Sequence, residues 1–206
     1  MDAITISNLA LVKIGSQVII SFNDGTTPSR LCNLLYPVTV NEVLRLNNWS
    51  WAKGLATLTQ TATPPAIDWA YSYALPSDYS RILEVNDFGS ATPHASFEII
   101  GNLLHSDDAS VNISYVKTVT DPNLFDDLAV EVISTRLAQK LAKPLGGSET
   151  LEQRLGQEFQ RMLEEARRID NSSSYPRRKP QYLDSDLVNA RYTDGYNSIN
   201  TNAYVG

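Results

Sequence analysis

Cysteine is almost absent from this chain of 206 residues. The single Cys32 excludes an internal disulfide framework and a cysteine-based zinc site. Its apolar helical neighbours make it a buried structural residue. Histidine is nearly as scarce. His94 and His105 lie near turn signals with no partner at metal-ligand spacing, so both are expected as solvent-exposed turn residues, and no metal or other cofactor is expected. No apolar run approaches the roughly 20 residues that span a bilayer. The opening MDAITISNLALVKIG has neither a basic start nor a small-residue cleavage site, so no secretory signal is expected. Positive charge is also short. With 17 Lys and Arg against 23 Asp and Glu, the net charge of −6 gives no general electrostatic reason to grip nucleic acid. No internal repeat is evident.

Catalytic constellations are missing too. His105-Ser106-Asp107 has triad residue types, but side chains adjacent in sequence rarely converge as a triad does. Asp107-Asp108 falls at a hairpin turn, and Asp126-Asp127 in the first turn of a helix, where the dipole favours acids. Gly146-Gly147-Ser148 lacks the lysine and the spacing of a phosphate loop. Trp49 and Trp51 could stack on a base, but after an apolar helix they are expected in the core.

What is present is a helix–strand–helix order ending in an unusual tail. Residues 4–14 read as a short apolar helix stopped by Gly15. After the Asn23-Asp24-Gly25 turn signal, Thr27-Pro28 reads as a cap plus proline opening a helix over 28–48. Leu31, Leu34, Leu35, Val38, Val43 and Leu46 form its apolar side, and Pro37 predicts a kink or break near Tyr36. Period-2 stretches at Tyr71–Tyr73, Ile82–Val85, Phe97–Ile100 and Val111–Val116 predict an antiparallel meander within a β-module at about 52–119. Its turn signals are Pro64-Pro65, Pro76-Ser77-Asp78, Gly89, Pro93, Gly101-Asn102 and Asp107-Asp108.

Asp121-Pro122 predicts the start of a long central helix over 122–143, with Leu124, Leu128 and Val132 on one stripe and Ile133, Leu137 and Leu141 on the next. Ser148 caps a last helix over 149–170, antiparallel to it, with the stripe Leu151, Leu155, Phe159, Met162, Ala166 and Ile169. The opposite face carries Glu152, Arg154, Glu158, Arg161, Glu164 and Arg168, with Glu164 and Arg168 in favourable i,i+4 order. The expected fold class is α+β: a bundle of about four helices with an inserted antiparallel β-module, residues 1–170, and an extended C-terminal arm, 171–206. Half of the ten tyrosines lie in that arm: Tyr175, Tyr182, Tyr192, Tyr196 and Tyr204. Disordered tails are poor in aromatics, so this one reads as an arm that orders against a partner, beside the plainer reading of an untidy terminus.

Five stretches then carry a family resemblance over most of residues 4–170: the opening helix ending in LVKIG; LRLNNWSWAKGLATL; YSYALPSDYSRILEV, with Tyr71, Tyr73, Pro76 and Asp78; FEIIGNLLHSDDASVNISYVKTVTDPNLFDDL; and STRLAQKLAKPLGGSETL closing with LEEARRID. In this order the chain resembles the tail tubular protein A-like head-to-tail adaptors of short-tailed bacteriophages. The resemblance implies a structural, non-enzymatic virion protein at the head–tail junction. It implies a homo-oligomeric ring of twelve copies between the portal protein and the tail nozzle protein, with the bundle around the DNA passage and the β-module in ring or tail contacts. DNA would slide through without sequence-specific binding, and no membrane is involved. The charged face of the last helix reads equally as a lumen lining or a solvated surface.

The resemblance also implies an arm that reaches the portal. Extended, residues 171–206 could span on the order of 100 Å. Tyr182, Leu183, Leu187, Val188, Tyr192 and Tyr196 are expected as its anchors, and Arg177, Arg178, Lys179 and Arg191 as partners for acidic groups, the arm being disordered until docked. Two other readings remain: a head-completion or connector protein of a long-tailed phage, or other virion interaction protein, and an enzyme with a cryptic site joining His94, His105 and the carboxylates.

Overall fold

The computed structural model describes residues 1–62, 65, 68–86 and 96–173. It contains four α-helices, α1 (Ala3–Lys13), α2 (Thr27–Leu46), α3 (Asp127–Ala142) and α4 (Glu149–Ser173). Between α2 and α3 lie six strands: β1 (Lys53–Thr57), β2 (Tyr71–Ala74), β3 (Tyr79–Val85), β4 (Phe97–Ile100), β5 (Leu103–Ser106) and β6 (Asn112–Lys117). The α+β class, the four helices and the inserted antiparallel β-module are as the sequence predicts. The expected turn signals Pro64, Gly89 and Pro93, His94, and every anchor expected in the arm from Arg177 to Tyr196 lie outside the described residues.

α3 is the central helix, packed against α1, α2 and α4. It buries residues around most of its circumference, including Val130, Val132, Ile133, Leu137, Ala138 and Leu141. Its pairing with α4 is antiparallel: Gln139 meets Gly156, Arg136 meets Phe159 and Thr135 meets Met162. The turn between them is a Schellman motif. Gly146 adopts φ +84°, its N–H bonds to the Lys143 carbonyl and the Gly147 N–H reaches back to Ala142. α1 ends the same way at Gly15, φ +73°, with Gly15 bonded to Val12 and Ser16 to Leu11.

Several boundaries differ from expectation, each for a local reason. Thr26, not Thr27, caps α2, accepting from the Ser29 N–H. α2 does not break at Pro37; it is one helix over Thr27–Leu46. Proline removes the donor for the Asn33 carbonyl, but Asn33 and Pro37 both face solvent, so that oxygen need not be buried unpaired. Leu34 and Val38, expected on the core side, are 65% and 53% exposed, while Cys32, Tyr36, Val40 and Val43 point inward. Asp121-Pro122 caps only a 3-10 turn over Pro122–Leu124, and α3 starts later, with Asp126 accepting from the Leu128 N–H. The chain leaves helical geometry at Phe125 because that ring is buried edge-on against Trp51, with centroids 5.2 Å apart. Leu124 is thereby turned out of the core stripe, 56% exposed. α4 continues three residues past its expected end at 170. Glu164 and Arg168 form no ion pair among the described residues, whereas Glu158 turns to Lys13.

The β-module is two three-stranded sheets, ordered β1-β6-β3 and β2-β5-β4, instead of a single meander. Lys53–Thr57 and Leu103–Ser106 are strands with little alternation in the sequence to announce them. Gly101, φ +62°, stands first in the two-residue turn joining β4 and β5, where a type II′ turn requires glycine. β6 is the wall between two hydrophobic clusters. Ile113 and Tyr115 face a β-cluster with Leu58, Tyr73, Val85, Leu104 and Val111. Val116 belongs to the helical core.

Gly54 lies opposite Tyr115 in the β1–β6 pair, and a Cβ there would come within 2.7 Å of the ring. The ring is held in place by its hydroxyl, which donates to Asp78 at 3.0 Å. Gly54→Ala is therefore expected to destabilise the chain by about 1–3 kcal/mol, as overpacking does, read as a lowered urea midpoint. Tyr115→Phe in the same background should recover part of the loss by freeing the ring.

Cys32 is fully buried, and burial pushes its thiol up to about 11, a hydrogen bond with Ser7 opposing the rise. The folded chain is expected to be inert to a thiol reagent at neutral pH and to react once denatured. Equal labelling rates in both states would contradict the placement.

Candidate functional site

The end of α4, immediately before the tyrosine-rich segment, is tied to the junction between α2 and β1. The Asp170 carboxylate accepts from the Ser50 backbone N–H at 3.1 Å, the Ser50 hydroxyl at 2.5 Å and the Asn47 amide at 3.3 Å. Arg167 donates to the Leu46 carbonyl at 2.6 Å, satisfying an acceptor at the C-terminus of α2. Beneath this clamp Trp49 is 1% exposed, and its indole N–H donates to the Val43 carbonyl at 2.8 Å. Trp51 stacks on it at 5.9 Å. Trp49 is thus a core residue, as expected, while Trp51 is half-buried against the core. Sequence reasoning did not single out Asp170; its partners are more than a hundred positions away, and nothing in LEEARRID distinguishes it from the other acids.

A pocket of about 120 Å³ opens here, lined by Trp49, Ser50, Trp51, Asp126, Ala166, Ile169 and Asp170. The Trp51 indole nitrogen is buried and has no hydrogen-bond partner among the described residues. A space this small admits water and falls well below the several hundred Å³ of an ordinary ligand site.

Two ion clusters lock the helices together. Glu42 on α2 pairs with Arg136 and Lys140 of α3. Burial would raise its carboxyl, but the hydrogen bonds from Arg136 and then Lys140 outweigh that and hold it below the usual range. Arg136 also lies 4.9 Å over the Phe159 ring, so one guanidinium joins three helices. Lys13 of α1 pairs with Glu131 of α3 and Glu158 of α4, at 3.3 and 3.1 Å. Burial opposes the ammonium there, and the two carboxylates, Glu158 first, more than compensate and raise it.

His105 is not a solvated turn residue. It sits in β5, 3% exposed, with Nδ1 3.1 Å from the Ser72 hydroxyl. Burial follows from register: β5 is the middle strand of its sheet, and His105 is flanked by Ser72 on β2 and Glu98 on β4. Serine, histidine and acid therefore stand in a row across three strands. Only part of the row is buried: Ser72 and His105 are 1% and 3% exposed, whereas Glu98 is exposed and accepts from the Trp69 indole at 3.0 Å.

Ser106 points away from His105 and donates to the Ser96 carbonyl. Asp107 accepts from the Ala70 N–H, and Asp108 from the Asn86 amide. Asp126 is a helix cap, and Asp127 is exposed in the first turn of α3. Among the described residues no three His, Cys, Asp or Glu side chains converge as metal ligands, and no helix is long and apolar enough to cross a membrane. Neither the models of known protein families nor the curated proteins match this chain.

Proposed function

We propose that this chain is a structural virion protein of the head–tail junction: a subunit of an adaptor ring that joins the portal protein to the tail nozzle protein and encloses the DNA passage. The observation that carries this reading is the order and nesting of the elements. Two helices precede a β-module, which is inserted before a helical hairpin whose first helix is central. That is the architecture the adaptor resemblance implies. The clamp at Asp170 adds support, since it gives the following segment a fixed root beside the tryptophan junction. The exposed side of α4 mixes both signs, with Arg154, Arg161, Glu164, Glu165 and Arg168, and so lacks a continuous row of cations to retain a passing phosphate backbone.

The test is imaging of the purified protein mixed with its portal protein. A closed ring of twelve subunits on the portal is the expected result, with the isolated chain monomeric until it meets that template. Single subunits bound without ring closure would overturn the adaptor reading. A closed ring of another copy number would move the assignment to a head-completion connector.

A further inference from the structure

We propose that the outer face of α2 is a docking surface for a second copy of this chain, engaged by the acidic turn around Leu124. The inference rests on the adaptor reading only in naming copy-to-copy contact as its context; its observations are independent of it. Arg30, Leu34, Pro37, Val38, Asn41 and Arg45 recur every three or four residues, so they share one side of α2, and all are exposed. The helix is apolar on this side as well as on its core side, which is more apolar surface than one packing partner uses. Leu34 and Val38 are one helical turn apart, and the arginines stand about 22 Å from each other along the axis.

The face carries cations and no acid, in a chain of net charge −6. Glu42, the acidic residue of this helix, is turned inward to Arg136 and Lys140. Arg45 makes no ion pair or hydrogen bond among the described residues, while Arg30 donates to the Gly25 carbonyl. Pro37 leaves the Asn33 carbonyl without its helical donor, so the stripe also offers a backbone acceptor.

The complement lies in the same chain. The turn from Asp121 to Asp127 presents Leu124 outward among Asp121, Asp126 and Asp127, all exposed, with no cation in the segment. It is already shaped. Asp121 accepts from the Asn123 backbone N–H at 3.0 Å, and the N-terminal ammonium donates to the Asn123 side chain at 2.7 Å. A pre-formed knob loses little freedom on docking. Leu124 seated between Leu34 and Val38, with the carboxylates toward Arg45 and Arg30, matches apolar to apolar and acid to base. The charges orient the approach and the leucine excludes water.

The experiment uses full-length Val38→Cys and Leu124→Cys variants, both at exposed positions; the native Cys32 is buried and stays silent. Mixed in the presence of the portal protein and mildly oxidised, they are expected to give a 38–124 disulfide several-fold above what either variant yields alone. Arg45→Glu should suppress it, and Asp127→Arg on the other partner should restore it. The proposal is overturned if mixing gives no excess, or if the charge reversals leave the yield unchanged. A ring on the portal without this crosslink ends the proposal and keeps the adaptor. The crosslink without portal binding keeps the surface and ends the adaptor.

Discussion

Deleting residues 174–206 is expected to abolish capture of the protein by immobilised portal while leaving the remaining chain fully folded. The cut follows the last turn of α4, so the Asp170 clamp and both ion clusters survive it. Far-UV circular dichroism should show no loss of helical signal. The deleted segment holds the proposed anchors Tyr182, Leu183, Leu187, Val188, Tyr192 and Tyr196, and aromatic anchors dominate interface energy. Ordering each residue of such a segment costs about 1–2 kcal/mol, so binding has to come from a few anchors multiplied by the avidity of a ring. Reversing Arg177, Arg178, Lys179 and Arg191 should slow association and flatten its salt dependence more than it shortens residence. Unchanged affinity after the deletion would place the portal contact in the core instead.

The largest effect on stability is expected at Trp49. Trp49→Ala removes the most completely buried large side chain at the junction of the helices and the β-module, together with its hydrogen bond to Val43 and its stacking on Trp51. A loss of about 3–5 kcal/mol follows for an aromatic truncated to alanine in a packed core. Trp49→Phe separates the contributions: it keeps most of the apolar contact but strands the Val43 carbonyl, a penalty of about 1–3 kcal/mol. Urea denaturation of the three proteins measures both. A Trp49→Ala loss under about 1 kcal/mol would mean that the site collapses around the cavity and that the junction is not where stability is concentrated.

The elements legible in the sequence are those whose signals are local. Glycine at a left-handed stop marked the end of α1, and the clean stripe of α4 placed Leu155, Phe159 and Ala166 in the core. What the sequence hid was decided by contacts between distant segments. Phe125 leaves helical geometry for Trp51, which moves the start of α3 and exposes Leu124. Leu34 and Val38 look like core by spacing, but among the described residues α2 has its packing partners on the side of Cys32, Tyr36 and Val43. His105 carries a turn-like neighbourhood in Gly101-Asn102 and Asp107-Asp108, yet the hairpin those turns create puts it on a middle strand. The Asp170 clamp is invisible to any periodicity, because its partners are fixed only once α4 has folded back along α3. The tyrosine-rich segment beyond Ser173, with the clearest compositional signature, lies outside the described residues.

β6 contributes alternate side chains to two cores, Ile113 and Tyr115 to one and Val116 to the other. Leu83 and Ile82 of the adjoining β3 divide in the same way. Neither core can melt without stripping cover from this shared wall, so the helical and β portions are thermodynamically one body despite their separate clusters. Heating should therefore yield a single calorimetric peak whose van't Hoff and calorimetric enthalpies agree.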